Sequence, residues 1–372
     1  MKTLLSACAL LGVFAVLHAE PQPPSLKAAA QGRFLVAAAI NEKVILGTDQ
    51  ESVALFDRHF DAVSPENCLK WESVHPEPDR YDFKVADRYV EFGTSRHLNI
   101  LGHTLMWHYQ TPAWVFANPD GSPKTAPQLL ATLREHIRTV VGRYKGRITG
   151  WDVVNEAVAD TGGIRTDLPW YRILGEEGII EAFRAAHEAD PGAELYYNEY
   201  CLWFPEKRKT VIELVNRIRA AGLPVHAVGL QEHCAIGSPT PQQVDETIAA
   251  FAQAGIKVQI TELDVSVLPR PDNYYGADIA HLQEHRAELD PYRDGLTAAR
   301  QQELAAYYAE LFAVYRRHAA SIKRVTFWGL TDADTWLGDW PIKGRRDHPL
   351  LFDAQHQPKP AYDAVIKALS AP

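Results

Sequence analysis

Eight short apolar runs, rich in β-branched residues, recur along the chain with amphipathic helical stretches between them. The runs lie near residues 34–38, 62–64, 98–102, 148–154, 194–197, 227–230, 258–261 and 324–328. Runs of this kind read as strands buried on both faces, as in a parallel sheet. The intervening helical stretches include 82–96, 126–144, 205–221, 240–254 and 297–318. Pro205 and Pro241 suit first-turn positions, and Gly222 and Gly255 suit helix stops. Eight such strand–helix units predict an α/β fold, a (β/α)8 TIM barrel, in a single domain. The rival is an open doubly wound sheet. It would carry a glycine-rich phosphate turn after the first strand, and none is present.

The 372 residues are 46% hydrophobic and 23% charged, which suits one large domain. The first 19 residues read as something other than fold. Lys2 is a short positive region, residues 4–17 are apolar, and Leu17-His18-Ala19 ends on a small residue. This is the pattern of a signal peptide cut before Glu20, and the alternative is a buried N-terminal helix. Residues 20–30 then form a Pro-rich stub, and 31–372 the barrel domain. The expected location is secreted, extracellular or periplasmic. No later run is long enough to span a membrane. The net charge of −9, with no basic cluster, argues against a nucleic-acid partner. Past the signal, Cys68, Cys201 and Cys234 remain. They allow at most one disulfide, between Cys201 and Cys234, or else three unpaired thiols.

Two glutamates carry the functional reading. Glu156 closes Trp151-Asp152-Val153-Val154-Asn155-Glu156, and Glu262 lies in Gln259-Ile260-Thr261-Glu262-Leu263-Asp264-Val265. Each sits near the C-terminal end of a predicted strand, where barrel enzymes hold their chemistry. A pair of carboxylates on one rim is the equipment for cleaving a glycosidic bond. An isolated glutamate after a strand is usually a solvated loop residue. Here polar residues recur at other strand ends. Ser64-Pro65-Glu66-Asn67 ends the second, His103-Thr104 the third, Gln231-Glu232-His233 the sixth, Glu262 the seventh and Trp328 the eighth. Convergence of that kind makes a site. Asp264 is placed to hold the His233 ring, which in turn can orient Glu262. Nine tryptophans supply flat surfaces for the C–H faces of sugars, with Trp107, Trp328 and Trp336 expected to face substrate. Zinc spacings, phosphate loops and the serine-hydrolase elbow are all lacking, so no metal and no cofactor is expected.

These motifs resemble glycoside hydrolase family 10, the endo-β-1,4-xylanases, from about residue 31 to the end. Residues 151–157 are similar to that family's acid/base motif, and 260–265 to its nucleophile motif. Residues 64–72, 102–112, 229–233 and 328–332 match its strand ends, in family order. The resemblance implies a retaining double displacement with Glu262 as nucleophile and Glu156 as acid/base. It implies that Asn155 bonds the sugar 2-hydroxyl. Glu66, Asn67, Lys70, His103, Trp107 and Gln110 would line the non-reducing side. Gln231, His233 and Trp328 would surround the cleaved sugar, with Trp336 flanking it and Tyr200 serving the aglycone side. The implied partners are xylan and xylo-oligosaccharides, and a monomer is expected. Three departures stand out: Asn198-Glu199-Tyr200-Cys201 in place of Asn-Asp-Tyr-Asn, Cys68 for an acidic residue, and Glu232 for a small one. The alternatives are a related barrel glycosidase acting on β-1,4-glucan or short xylo-oligosaccharides, and a barrel that binds sugar without cutting it.

Overall fold

The computed structural model describes residues 24–270 and 278–371. The expected signal segment 1–19 lies outside the described residues.

Nine strands are present: β1 Leu35–Ile40, β2 Ala62–Pro65, β3 Asn99–Met106, β4 Gly150–Asn155, β5 Glu194–Glu199, β6 Ala227–Leu230, β7 His233–Ala235, β8 Val258–Ser266 and β9 Ile322–Phe327. All pairings between them are parallel. Eight of them close into a barrel, because β6 pairs with β8 and β9 with β1. Residues of β2, β4, β6 and β8 are buried throughout, as expected of strands packed between a filled interior and a coat of helices. This is the (β/α)8 barrel expected from the alternation.

Local chemistry starts and stops the coat helices where the sequence indicated. Thr125 and Thr240 form capping boxes with Gln128 and Gln243, and Pro205 and Pro241 occupy first turns. Gly222 and Gly255 follow two of the helices with φ of +79° and +69°, a conformation that costs glycine little. The helix Pro169–Ala189 is broken at Gly175, which has φ 57° and ψ −148°. Ser25 caps a short helix, Leu26–Ala30, whose Leu26 and Ala30 are buried, and Pro24 accepts a bond from the Tyr362 hydroxyl.

One strand runs further than its apolar core. β8 continues through Glu262 and Asp264 to Ser266, where the expected run stopped at residue 261. The extension has a partner: β7 pairs His233 with Asp264 and Ala235 with Ser266. Glu262 therefore lies inside a strand rather than after it. Among the described residues there is no disulfide. Cys68, Cys201 and Cys234 are buried thiols, and Cys234 Sγ donates to Glu232 Oε2 at 3.6 Å. The Cys201–Cys234 bridge is not formed, and the Cys234 side chain is turned to that carboxylate. Burial pushes the thiols well above their ordinary pKa, so they serve as packing.

Candidate active site

The C-terminal rim opens into a cleft of about 540 Å³, lined by both Glu156 and Glu262. Glu156 directly follows β4 with φ +58°, a left-handed conformation that is strained for a glutamate. Neighbouring groups hold it there. Its N–H donates to the Asn198 carbonyl at 3.0 Å. The next two amides are also tied, Ala157 N–H to the Tyr197 hydroxyl (3.0 Å) and Val158 N–H to Glu199 Oε2 (3.1 Å). Glu199 is wholly buried, accepts from the Tyr197 hydroxyl at 2.7 Å, and meets the buried Lys207 ammonium at 3.0 Å. The acid/base candidate thus rests on a buried ion pair between Glu199, the last residue of β5, and Lys207.

The Glu156 carboxylate receives three neutral donors. Asn155 Nδ2 and Gln231 Nε2 reach Oε1 at 3.0 and 2.9 Å, and Trp107 Nε1 reaches Oε2 at 2.9 Å. Burial drives its pKa up, the Glu199 charge adds to that, and Glu262 contributes further. The bonds from Gln231 and Trp107 oppose them, and the balance is about 7.

Glu262 sits differently. His233 Nε2 lies 3.2 Å from Oε2, and His233 Nδ1 lies 3.0 Å from Asp264 Oδ2. Alternation along β8 puts Glu262 and Asp264 on one face, so one ring meets both carboxylates. Burial disfavours the charged ring, but the carboxylates outweigh it and raise the His233 pKa to about 10. The ring is an imidazolium, donating from both nitrogens. Trp336 Nε1 donates to Asp264 Oδ2 at 2.7 Å and fixes that carboxylate in turn. Burial alone would raise the Glu262 pKa. The His233 bond, the charges of His103 and His233, and the Asn198 bond overcome it, and the net shift is downward.

Asn198 joins the two halves. Its Nδ2 donates to Asn155 Oδ1 at 2.8 Å and to Glu262 Oε1 at 2.7 Å, while Thr261 Oγ1 donates to Asn198 Oδ1 at 2.7 Å. Gly229 on β6 makes room for it, since a Cβ there would stand 2.1 Å from Asn198 Oδ1. Sequence reasoning missed this asparagine. Its signal is the register, which sets Asn155 opposite Asn198 and Asn198 opposite Gly229.

Of the residues expected to bind substrate, Glu66, Asn67, Lys70, His103, Trp107 and Gln110 line one wall of the cleft. Asn155, Gln231, His233, Trp328 and Trp336 line the rest. Lys70 Nζ donates to Asn67 Oδ1 (2.9 Å) and Gln110 Oε1 (2.8 Å) and lies 5.0 Å from the centre of the Trp107 ring. His103 Nδ1 lies 3.0 Å from Asp152 Oδ2. Tyr200 is not in the cleft. It is 1% exposed, its hydroxyl accepts from Arg165 Nη2 at 2.5 Å, and Lys207 sits 3.3 Å from its ring centre. The cations that balance Glu199 draw the Tyr200 ring inward.

The cleft also contains residues not singled out individually from the sequence, in part from the long segment 266–295 that was expected to border it. Trp340 stacks on Trp336 with centroids 4.8 Å apart. Ile279 and Leu282 come from the long segment after β8. That segment is tied across the cleft, because Asp278 accepts from the Tyr109 hydroxyl with its carboxylate and from Trp340 Nε1 with its carbonyl. Trp340 shares a loop with Trp336, and that was its only signal. Trp71 and Trp151 are buried as packing, Trp71 stacked on His136 and Trp151 against Gly102. Among the described residues, no group of three or more His, Cys, Asp or Glu is placed to hold a metal ion.

The chain is 41% identical over 367 residues to endo-1,4-beta-xylanase A of Xylanibacter ruminicola, covering 99% of both chains. It is 41% identical to a beta-1,4-xylanase of Dictyoglomus thermophilum, over 92% of this chain and 91% of that one. A solved family 10 endoxylanase from a sugarcane-soil metagenome superposes with a TM-score of 0.89 at 42% identity, covering 92% of this chain and 99% of that chain. The profile of Glycosyl hydrolase family 10 matches residues 25–368, and the chain belongs to that family.

Proposed function

We propose that this protein is a retaining endo-β-1,4-xylanase, with Glu262 as nucleophile and Glu156 as acid/base. The observation that carries the assignment is the opposed state of the two carboxyls. Glu262 is held ionised by an imidazolium and an amide, and Glu156 is held protonated up to about pH 7. In the first step the Glu262 carboxylate attacks the anomeric carbon while Glu156 gives its proton to the leaving oxygen. The glycosidic bond breaks and an ester to Glu262 forms. In the second step the Glu156 carboxylate takes a proton from water, whose oxygen displaces Glu262 and regenerates the carboxylate. Two inversions leave the β-configuration.

The Glu262 side also supports the choice of sugar. Trp336 is tied to Asp264, and Trp328 packs edge-on to His103 and His233. A wall so placed beside the sugar over Glu262 leaves little room for the hydroxymethyl group of glucose, which xylose lacks. The xylanase names of the relatives agree with this reading. Removal of residues 1–19 on secretion and a monomeric state belong to the same proposal. They are checked by the N-terminal residue of exported protein, expected to be Glu20, and by its mass in solution.

Proton NMR of the earliest products tests the mechanism. The first reducing sugar released from a xylo-oligosaccharide should be the β-anomer. An initial α-anomer would contradict the double displacement and the role given to Glu262.

A further inference from the structure

Behind the side chains that hold Glu262 lies a cavity of about 20 Å³, lined by His233, Asp264, Leu337, Trp340 and Arg345 among others. That volume admits a water molecule, provided polar partners face it. Two residues supply them. Asp264 is wholly buried, and its Oδ2 accepts from the His233 ring and the Trp336 indole. Its Oδ1 has no hydrogen-bond partner among the described residues. Arg345 is also buried, and its Nη1 donates to the Pro269 carbonyl at 3.2 Å and the Leu289 carbonyl at 3.4 Å. Its Nε has no partner among the described residues either, so the two bare atoms do not reach each other. A carboxylate oxygen and a guanidinium N–H left bare in the interior each cost free energy. One water between them satisfies both, accepting from Nε–H and donating to Oδ1.

The chain brings both ends of this bridge from elements already committed to Glu262. Asp264 lies two residues beyond Glu262 on β8. Trp336 and Arg345 both follow β9, in the segment that also supplies Leu337 and Trp340 to the cavity wall. That segment therefore grips Asp264 at both oxygens, Trp336 directly on Oδ2 and Arg345 across the cavity from Oδ1. Arg270, which follows β8, ties the neighbouring backbone, with Nη2 donating to the His233 carbonyl at 3.3 Å. A carboxylate held at both oxygens cannot turn about its own bond. Its plane then fixes the His233 ring, and the ring fixes the direction of Glu262 Oε2.

We propose that Arg345 is a positioning residue for the nucleophile, joined to Asp264 Oδ1 through one water molecule bound in this cavity. The proposal rests on the reading of Glu262 as nucleophile and deepens it. Arg345 does not line the cleft. It acts through the water, Asp264 and His233, keeping Oδ2 aimed at His233 Nδ1 and His233 Nε2 aimed at Glu262.

A high-resolution crystal structure of the unmutated enzyme tests the bridge. It should show one ordered water within about 3.2 Å of both Asp264 Oδ1 and Arg345 Nε. A dry cavity, or direct contact between the two side chains, overturns the proposal. An activated aryl 2-deoxy-2-fluoro-β-xylobioside tests the positioning. Glu262 displaces its aryl oxide from the anomeric carbon and is trapped as an ester, so the first-order inactivation constant reports the nucleophile's attack. Arg345→Met should lower that constant about tenfold and leave the inhibitor's dissociation constant within about twofold. In the Asp264→Asn background the same substitution should change the constant by less than about twofold, because Arg345 acts through Asp264. Arg345→Gln runs the same cycle where Arg345→Met does not fold. Parallel loss of binding and rate, or the same loss of rate in both backgrounds, makes Arg345 a packing residue and overturns the proposal. Label on Glu262 with an unchanged rate in the variant overturns the role of Arg345 alone. Label on another carboxylate overturns the nucleophile assignment and this proposal with it.

Discussion

Glu156 and Glu262 are both buried carboxylates on one barrel rim, and their surroundings push them in opposite directions. Around Glu156 the contacts within hydrogen-bond reach are neutral: an indole, two amides and backbone. The nearby full charges that matter most are negative, from Glu199 and Glu262. Around Glu262 the same burial is met by an imidazolium, itself stabilised by Asp264. Desolvation therefore wins at one site and loses at the other. The lesson is that burial alone does not assign a catalytic role. The sign of the nearest charge, two residues along a strand or one strand away, decides between acid and nucleophile.

Removing the two carboxyls should separate these roles most sharply. Glu262→Ala should lower kcat on all glycosides, on the order of 10⁵-fold, as loss of a nucleophile does elsewhere. Added azide should then yield an α-glycosyl azide. Glu156→Ala should cost about 10²–10⁴-fold on substrates with poor leaving groups and far less on activated aryl glycosides. Azide should here give the β-glycosyl product. Identical substrate dependence in the two variants would break the comparison. A smaller effect belongs to the wall beside Glu262. kcat/KM on xylo-oligosaccharides should exceed that on matched cello-oligosaccharides by about a hundredfold, and Trp336→Ala should narrow the gap by opening room. Equal rates on both series in the unmutated protein would favour a glucanase instead.

The finest adjustment lies behind Glu156. Glu199→Gln removes a negative charge that raises the Glu156 pKa, and it leaves the nearby Lys207 cation paired with Asp160 alone. Both changes favour the ionised form of Glu156. The proposed mechanism needs Glu156 protonated, so the basic limb of the kcat/KM profile should move down from about 7, by about one pH unit or less. The acidic limb, set by Glu262, should move much less. A uniform loss of rate with both limbs in place would make Glu199 a packing residue.

Much of this was legible from sequence, for identifiable reasons. Strands buried on both faces leave apolar runs, so all eight barrel strands stood out, and polar residues at their ends pointed to one rim. Glu66, Lys70, His103, Gln231 and Trp328 lie in the cleft because the barrel brings every strand end to the same mouth. Details that depend on register were not legible. Asn198 links Glu262 to Asn155, which in turn bonds Glu156, only because β5 sets it between Asn155 and Gly229. β8 outlasts its apolar run because β7 supplies a short partner, and a polar strand of this kind looks like a loop in sequence. Tyr200 lies buried beside the cleft rather than lining it, its ring packed on the Lys207 that pairs with Glu199. The helix Pro169–Ala189 was obscured by Gly175, which interrupts its period.

The central claim is that one carboxyl is kept protonated and the other ionised in the resting enzyme. It is tested most directly by ¹³C NMR titration of the protein labelled at glutamate Cδ, with Glu156→Gln and Glu262→Gln to assign the signals. Glu156 should titrate near pH 7 and Glu262 below its ordinary 4.5. Two signals titrating together in the ordinary carboxylate range, or the order reversed, would contradict the account.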